Sequence, residues 1–373
     1  MNFSQVCAIV NSVEKLCEKG IFKMKHIFVV NPTAGEGSLQ KTLEEQLQKF
    51  AGTKEYEIYA TKGPGDATLF VRNYVSAHPE ESLRFYACGG DGSINEVATG
   101  LVGAKNASMS VYACGSGNDY IKYYGTKENF LDLPSLLDGV ETPIDLMKVG
   151  DRYSVNVTNF GFDTRVAQVG NVLKGKLGAK AYTVGVVAAL FSAMWTKCRI
   201  WADGEEICPK KLLLCSVANG RYVGGQYKCA PKGSNDDGLL EVCIIKCISH
   251  FKFVSLLGPY TKGEHLDMDK FKKIIVYRQA KKVHIESPAP LRFSLDGEIL
   301  ALQNFDIEVV PSAIRFAVPA KLAKTFVNAS ISRSTLFHFT NRPMCSALLE
   351  EGGRSGGEVS TASFSFSKAS VSV

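Results

Sequence analysis

A repeated unit in the first 120 residues constrains the fold more than any other feature of the sequence. The apolar runs KHIFVV, YEIYAT, LRFYAC and MSVYAC are each followed by a loop that contains glycine, and the first three loops lead into helical periodicity. Strand, glycine-rich loop and helix at this spacing predict a parallel β-sheet with helices on its faces. Because ligands bind at the carboxyl ends of parallel strands, we expect all four loops to border one site.

The loop GGDGS, residues 89–93, joins one of these strands to a helical run. Ser93 and Glu96 have the spacing of a capping box, which predicts a helix over 94–102. Free N–H groups and the positive end of the helix dipole would face a bound phosphate there, and glycine would allow its close approach. A tight turn without a ligand explains this loop equally well. The carboxylate of Asp91 raises a further question, because phosphate is also negative.

The neighbouring loops favour the phosphate interpretation. NPTAGEGS and GSGND present glycine, hydroxyl and amide groups at the same expected sheet edge, and three converging loops indicate nucleotide phosphates. Two other motifs are excluded. The stretch GNVLKGKL at 170–177 ends in Leu177, where a P-loop needs Ser or Thr for Mg²⁺, and the absence of HRD and DFG triplets excludes a protein kinase.

The pattern of apolar and polar residues changes after about residue 145. Short apolar or alternating runs separated by Gly, Asp and Asn predict a mostly antiparallel β domain, with one longer helix at about 179–194. The predicted order is an extension at 1–23 (absent if Met24 is the start), an α/β nucleotide-binding domain at 24–145, a β domain at 146–304, a segment at 305–325 that returns to the first domain, and a disordered tail at 342–373.

Composition limits the partners and the compartment. A net charge of +6 fits an anionic partner such as nucleotide or acidic lipid and is too small to indicate nucleic acid. Eleven cysteines without a CxxC pair are typical of reduced thiols, which predicts a cytoplasmic protein. No apolar run reaches the roughly 18 residues of a transmembrane helix. The basic and apolar stretch 171–195 suggests peripheral contact with the inner membrane face, although a core helix explains it better.

The motifs NPTAG, GGDGSINEV and GSGNDY, in this order, resemble the catalytic domain of the diacylglycerol kinase family, and most closely its soluble bacterial lipid kinases. NVTNFGFD, ANGRYVGGQYKCAPKGSNDDGLLEV and FSLDGE extend the resemblance over residues 25–318. It implies an α/β domain similar to those of phosphofructokinases and NAD kinases, then a β-sandwich domain, with the active site between them. It also implies ATP and Mg²⁺ as cofactors and a lipid acceptor at a membrane surface, foremost diacylglycerol, which would give phosphatidic acid. A homodimer is left open.

The resemblance also assigns site residues and answers the question about Asp91. A carboxylate beside the phosphate loop would oppose Mg²⁺, which prefers one or two carboxylates together with water and phosphate oxygens. The implied nucleotide residues are Asn31, Pro32, Thr33, Ala34, Gly35, Thr61, Gly89, Gly90, Asp91, Gly92, Ser93, Ile94, Asn95, Glu96, Ser116, Asn118 and Asp119. The implied metal residues are Asp91, Ser234, Asp237 and Leu239. Ser93 and Ser116 stand where the family more often has Thr, and they keep the hydroxyl.

The residues alone cannot distinguish a functional Asp-Gly turn from a purely structural one. LDGE at 295–298 and ADGE at 202–205 both interrupt alternating runs, and Asp-Gly is a strong hairpin signal by itself. The same turn signal is the alternative explanation for Asp237 and Gly238. The resemblance selects Asp296 and Glu298 as catalytic, one of which would accept the proton of the attacking lipid hydroxyl. ADGE is interpreted as a solvated turn.

Two other functions stay open at this point. One keeps the kinase chemistry and changes the acceptor to a sphingoid lipid, another glycerolipid or a soluble molecule similar to NAD. The other is an inactive module that binds nucleotide or lipid, which the presence of Asp91, Asp237, Asp296 and Glu298 disfavours. We expect these four carboxylates to border one cleft.

Overall fold

The computed structural model describes residues 24–35, 39–50, 52–162, 164, 195–208 and 210–323. Its first part contains the expected parallel sheet, in the spatial order β2, β1, β3, β4. The four strands are β1 (Met24–Val30), β2 (Glu55–Ala60), β3 (Ser82–Gly89) and β4 (Ala107–Ala113). Every residue of β4 is buried, as expected for a parallel strand covered on both faces.

Helices cover this sheet and carry its core. They are α1 (Leu39–Leu47), α2 (Asp66–Ala77), α3 (Asp91–Leu101) and the short α4 (Leu133–Leu137), with 3₁₀ turns at Gln48–Phe50, Tyr120–Tyr123 and Glu128–Phe130. Leu43 and Leu47 of α1 and Ile94 and Val97 of α3 are fully buried. These residues recur every three or four positions, so one face of each helix packs against the sheet.

The helix after GGDGS begins earlier than the capping box predicted. It starts at Asp91, with Gly90 as its N-cap and no side-chain cap. The Glu96 carboxylate instead accepts hydrogen bonds from the N–H groups of Gly65 (2.9 Å) and Ala67 (3.2 Å), at the start of α2. The capping-box prediction is wrong because Gly65, the N-cap of α2, has no side chain to satisfy those N–H groups, and Glu96 of the neighbouring helix does so.

The second part is a mostly antiparallel β region. Its strands are β5 (Val140–Val149), β6 (Arg152–Ser154), β7 (Val157–Gly161), β8 (Thr196–Lys197), β9 (Arg199–Ala202), β10 (Glu205–Cys208), β11 (Lys211–Ala218), β12 (Leu240–Lys246), β13 (Ile275–Ala280), β14 (Lys282–Leu295) and β15 (Glu298–Val318). Neighbours run in the order β13, β12, β11, β7, β14, β15. Together with the parallel sheet, this region confirms the predicted fold class.

One helix in the second part was not predicted. α5 (His250–Lys262) begins at the N-cap Ser249, whose hydroxyl accepts a hydrogen bond from the N–H of Lys252 (3.4 Å). It ends at Gly263, which has the left-handed conformation (φ 79°). The helix expected at 179–194 lies outside the described residues, as do the segments 1–23 and 342–373. No helix in the described part of the chain is long and apolar enough to cross a bilayer.

The long strand β15 connects the two parts. Its first half pairs with β14, and its second half pairs antiparallel with β5. Near its end, Phe316 pairs in parallel with Met109 of β4. The end of β15 therefore lies beside the first sheet, and the hairpin that precedes β15 contacts Asn95 of α3.

Candidate active site

Backbone hydrogen bonds tie the four loops together at the carboxyl edge of the parallel sheet. The Asn31 N–H donates to the carbonyl of Cys88 (3.0 Å), and the Thr61 N–H donates to the carbonyl of Val30 (2.9 Å). The Gly115 N–H donates to the carbonyl of Gly89 (2.9 Å). The loops after β1, β2, β3 and β4 therefore form one structure, as the repeated unit of the sequence predicted.

The glycines of these loops differ in what they do. A Cβ on Gly115 would lie 2.3 Å from the Cα of Gly90, so backbone packs directly on backbone there. A Cβ on Gly89 would lie 2.2 Å from the hydroxyl oxygen of Ser93. A Cβ on Gly92 would have no atom within 4 Å. Gly89 and Gly115 are needed for packing, whereas Gly92 leaves open space at the start of α3.

This difference predicts opposite results for two substitutions. Gly115→Ala should lower the free energy of unfolding by about 2 kcal/mol or more, because the backbone of Gly90 cannot move aside cheaply. Gly92→Ala should leave stability unchanged or slightly raised, since the position is helical, and should weaken ATP binding about tenfold if phosphate uses the open space. Thermal unfolding and calorimetric ATP titration measure both effects. Unchanged ATP affinity in Gly92→Ala would place the nucleotide elsewhere.

The other predicted nucleotide residues fall into two groups. Pro32, Thr33 and Ser116 are exposed at the loop surface, and the side-chain oxygen of Asn31 organises the first loop by accepting from the N–H (3.0 Å) and hydroxyl (2.8 Å) of Thr33. Ile94 is fully buried in the core. Glu96, as described above, caps α2. These last two side chains contact protein rather than the open edge of the loops.

One buried polar atom in the fourth loop has no hydrogen-bond partner among the residues the structure describes. It is the side-chain oxygen of Asn118, a residue that is 3% exposed and has positive φ (49°). The amide nitrogen of the same side chain donates to the carbonyl of Gly115 (2.9 Å). A buried acceptor without a donor is costly, so this oxygen is suited to a donor group that a ligand would bring.

The carboxylate of Asp91 lies at the centre of these loops, on the first residue of α3. Its Oδ1 accepts a hydrogen bond from the N–H of Asp119 (2.7 Å), and a Cβ on Gly117 would lie 2.9 Å from its Oδ2. Burial raises the pKa of Asp91 to about 7, and the negative charges of Asp119 and Asp296 add to this rise. A carboxylate that gathers with two others in this way favours a cation nearby.

Asp119 is fixed from both parts of the molecule. Its carboxylate accepts hydrogen bonds from the N–H of Gly225 (3.0 and 3.1 Å) and from the ammonium of Lys122 (2.6 Å). The Lys122 ammonium also donates to the carbonyl of Gly225. Lys122 was missed at the sequence level; its position three residues after Asp119, on the same 3₁₀ turn, is the only signal that could have suggested it.

The donor set around Asp91 fits Mg²⁺. Within the described ranges, no three His, Cys, Asp or Glu side chains form a metal site, so no complete protein cage is available. Mg²⁺ does not require one, because one or two carboxylates, water and phosphate oxygens complete its shell. Asp91 and Asp119 supply two carboxylates, and both lie beside Gly117, where a Cβ would be 2.9 Å from Oδ2 of Asp91 and 4.0 Å from Oδ2 of Asp119.

Asp296 occupies the hairpin turn between β14 and β15, and its carboxylate accepts five hydrogen bonds. Three come from the backbone N–H groups of residues 155–157 (2.7, 3.1 and 2.9 Å), and one from the hydroxyl of Ser154 (2.8 Å). The fifth comes from the side-chain amide of Asn95 in α3 (2.8 Å). Burial raises the pKa of Asp296, and the donated hydrogen bonds act against that rise.

Asn95 therefore joins the two parts of the site. It lies four residues after Asp91, on the same face of α3, and its amide also donates to the carbonyl of Tyr153 (2.8 Å). Asp91 and Asp296, assigned separately from the sequence, are thus neighbours across this side chain. The sequence interpretation placed Asn95 at the nucleotide, whereas in the structure its amide holds the LDGE hairpin.

The two Asp-Gly hairpins have the same backbone and different surroundings. Asp203 and Asp296 both have positive φ (48° and 47°), and each is followed by a glycine with positive φ. Among the described residues, the exposed Asp203 carboxylate accepts from the N–H groups of Lys281 and Lys282 alone. Glu298, two residues after Asp296, forms an ion pair with Arg152 (2.7 Å) and keeps 60% of its side chain exposed. Tertiary contacts thus separate two turns that look alike in sequence.

The remaining predicted metal ligands belong to a different group of acidic residues. Burial raises the pKa of Asp237 to about 6, and the charges of Glu241, Asp145 and Asp236 contribute. Tyr120 separates this group from the first: its N–H points to Asp91 (3.4 Å), and its hydroxyl accepts from the side chain of Asn235 (2.9 Å). Ser234, Asp237 and Leu239 share one loop, and Tyr120 lies between that loop and Asp91.

Comparisons with known proteins match both halves of the described chain. Residues 25–149 match the family model described as "Diacylglycerol kinase catalytic domain". Residues 156–318 match the one described as "YegS C-terminal NAD kinase beta sandwich-like domain". The first matched region contains the four loops and Asp91, and the second contains Asp237, Asp296 and Glu298.

Individual relatives agree with these matches. A Bacillus subtilis protein named "Diacylglycerol kinase" is 32% identical over 280 residues, which cover 72% of this chain and 88% of the relative. A Yersinia enterocolitica protein named "Probable lipid kinase YegS-like" is 30% identical over 270 residues, 70% of this chain and 86% of the relative. The crystal structure of a diacylglycerol kinase from Bacillus anthracis superposes with a TM-score of 0.61 at 22% identity, covering 80% of this chain and 98% of that one.

Proposed function

Because the chain belongs to the family that joins a diacylglycerol kinase catalytic domain to a YegS-type β-sandwich domain, we propose that it is an ATP- and Mg²⁺-dependent lipid kinase. The lipid acceptor is diacylglycerol and the product is phosphatidic acid. The observation that carries the proposal is the position of Asp91, at the start of α3, among four joined loops and next to Asp119 and Asp296.

The loops perform the binding step. The uncapped start of α3 offers N–H groups to the phosphates, Gly92 leaves room for them, and the side-chain oxygen of Asn118 accepts a donor from the nucleotide. Asp91 and Asp119 would hold Mg²⁺, which neutralises the charge that develops on the transferred phosphoryl group. Ser234, Asp237 and the Leu239 carbonyl would form a second cation position in the other acidic group.

The hairpin performs the proton transfer. The lipid hydroxyl attacks the γ-phosphorus, the bond from that phosphorus to the β–γ bridging oxygen breaks, and ADP leaves with that oxygen. We assign Glu298 as the residue that accepts the proton of the hydroxyl, because its carboxylate is exposed at the hairpin. The carboxylate of Asp296 already accepts five hydrogen bonds, and those donors would compete with an incoming proton. Asp296 is then the positioning residue that fixes the hairpin.

A transfer assay tests the function. Labelled γ-phosphate should appear in phosphatidic acid when the protein receives ATP, Mg²⁺ and diacylglycerol in detergent micelles. Sphingosine and NAD, offered in parallel, test the other acceptors. Label only in NAD would replace the lipid with a soluble acceptor. ATP binding by calorimetry without label in any acceptor would reduce the chain to a nucleotide-binding module.

The raised pKa of Asp91 predicts a pH dependence with a definite sign. The folded, ligand-free protein keeps a proton on Asp91 up to about pH 7, whereas the unfolded chain releases it near the ordinary value of 3.8. The contribution of Asp91 to the free energy of unfolding should therefore fall as pH rises between these values. Mg²⁺ needs the ionised carboxylate, so its affinity should rise over the same range and level off above about pH 7.

Thermal unfolding and calorimetric Mg²⁺ titration between about pH 5 and 8 measure both trends. Other carboxylates titrate in this range as well, so the difference between the natural protein and Asp91→Asn isolates the contribution of Asp91. Equal pH slopes in the two proteins would show that Asp91 is ionised throughout.

A further inference from the structure

Helix α5 exposes two apolar side chains in its first turns. Phe251 is 91% exposed and Val254, one turn later, is 63% exposed. The opposite side of the same helix is buried through Phe253, Leu256 and Tyr260, and Phe253 packs edge-to-face on Phe162. The helix is therefore fixed to the second part by one face, and the outward apolar pair adds nothing to that packing.

A third large apolar side chain lies at the same end of the sheet. Trp195 is 53% exposed, and the ammonium of Lys211 lies 4.7 Å from the centre of its ring. Lys211 begins β11, and the neighbouring Leu212 pairs with Lys246, the last residue of β12. Since α5 begins four residues after Lys246, Trp195 and the first turns of α5 lie at one end of this sheet.

Positive charge predominates around these side chains. The stretches 195–202, 210–218 and 243–263 contain seven Lys and Arg residues and no Asp or Glu. Six of the seven cations are exposed lysines: Lys197, Lys210, Lys211, Lys246, Lys252 and Lys262. A protein partner would need a matching acidic surface, whereas an anionic bilayer offers negative headgroups above an apolar layer, which fits lysines around exposed Trp, Phe and Val.

We propose that the surface formed by Trp195, Lys211, Phe251, Lys252 and Val254, the α5 face, docks the protein on an anionic lipid bilayer. This inference rests on the proposed function, because an enzyme whose acceptor is dissolved in a membrane must reach that membrane. Phe251 and Val254 enter the boundary between headgroups and acyl chains, and the lysines remain at the headgroups.

The α5 face is well separated from the candidate active site. The N–H of Asp296 bonds to the carbonyl of Val157, and Val157 pairs with Ala218 at the far end of β11 from Lys211. Ala218 lies seven positions along the strand from Lys211, which is about 23 Å. Substitutions on the α5 face therefore leave the site intact, and activity in detergent micelles serves as the control for folding and catalysis.

Vesicle flotation with the full chain tests the proposal. The protein should float with vesicles of phosphatidylcholine and phosphatidylglycerol, and much less with phosphatidylcholine alone. The double variant Phe251→Ser and Val254→Ser should bind the anionic vesicles about tenfold or more weakly, and Lys252→Gln about fivefold more weakly. The matched control is Leu69→Ser on α2, which removes an apolar side chain about as exposed as Val254 (58% against 63%) from the other part and should change nothing.

The two tryptophans provide a second readout. Trp201→Phe leaves Trp195 as the only tryptophan, and its fluorescence should be quenched by brominated acyl chains in anionic vesicles. Unquenched fluorescence, or equal flotation of the double variant and the natural protein, would overturn the proposal. So would a dimer in ultracentrifugation that the double variant abolishes, because the α5 face would then join two copies. Lipid phosphorylation in micelles is measured separately, so the proposed kinase activity and the proposed membrane docking can each fail without the other.

Discussion

Asp91→Asn is expected to lower phosphate transfer by about a thousandfold or more without unfolding the protein. The substitution keeps the size of the side chain and an oxygen that can accept the N–H of Asp119, and it removes the charge that would oppose Mg²⁺. Because Asp119 and Asp296 disfavour that charge in the ligand-free protein, the variant should unfold at an equal or higher temperature. The measurements are transfer to diacylglycerol in micelles, calorimetric Mg²⁺ titration and thermal unfolding.

Asp203→Asn is the control for this experiment. It makes the same chemical change in an exposed turn of the second part, where the carboxylate accepts from the N–H groups of Lys281 and Lys282. Transfer should stay within about twofold of the natural protein, as for most surface changes. If Asp91→Asn kept full activity and Mg²⁺ affinity, the phosphate loop would not hold the metal, and the answer to why this loop carries a carboxylate would be wrong.

Asp296→Asn is expected to lower the free energy of unfolding by about 3 kcal/mol, because an amide nitrogen in place of Oδ2 would leave the N–H of Val155 and the side-chain amide of Asn95 without an acceptor. Transfer should fall by about a hundredfold as well, since the hairpin that carries Glu298 loses its connection to Asn95. Denaturant unfolding and micelle assays below the unfolding transition measure these effects.

Two matched variants separate positioning from proton transfer. Asp203→Asn changes the same residue in a hairpin with the same backbone and should cost less than about 0.5 kcal/mol. Glu298→Gln should abolish most transfer with almost no loss of stability, because an exposed ion pair such as that with Arg152 contributes at most about 1 kcal/mol. A stable, folded and inactive Asp296→Asn beside an active Glu298→Gln would reverse the two roles and make Asp296 the proton acceptor.

The parallel sheet and its loops could be predicted because their signals are local. A continuous apolar run such as MSVYAC is typical of a strand buried on both faces, and the loop after each run identifies the edge where ligands bind. The ordered motifs were enough for the family resemblance, which the comparisons confirm. The nucleotide and metal residues stay predictions, which the variants above would test.

Other features depended on contacts that no local pattern contains. Ser93 and Glu96 have capping-box spacing, but Glu96 instead satisfies the bare N–H groups of α2 next to it. Helix α5 was missed because Gly258 and Pro259 interrupt its pattern, while packing of Phe253 on Phe162 compensates for those two poor helix formers.

The amino-acid sequence alone determined which strands are buried, which loops share an edge and which carboxylates are available, since these follow from hydrophobic periodicity and turn chemistry. It could not show that LDGE rather than ADGE belongs to the site. It also could not show that Asn95 connects Asp91 to Asp296, or that Tyr120 separates Asp91 from Asp237. Those relations arise when β15 brings the second part against the first sheet, because the burial and hydrogen bonds that distinguish one carboxylate from another come from residues far away in the chain.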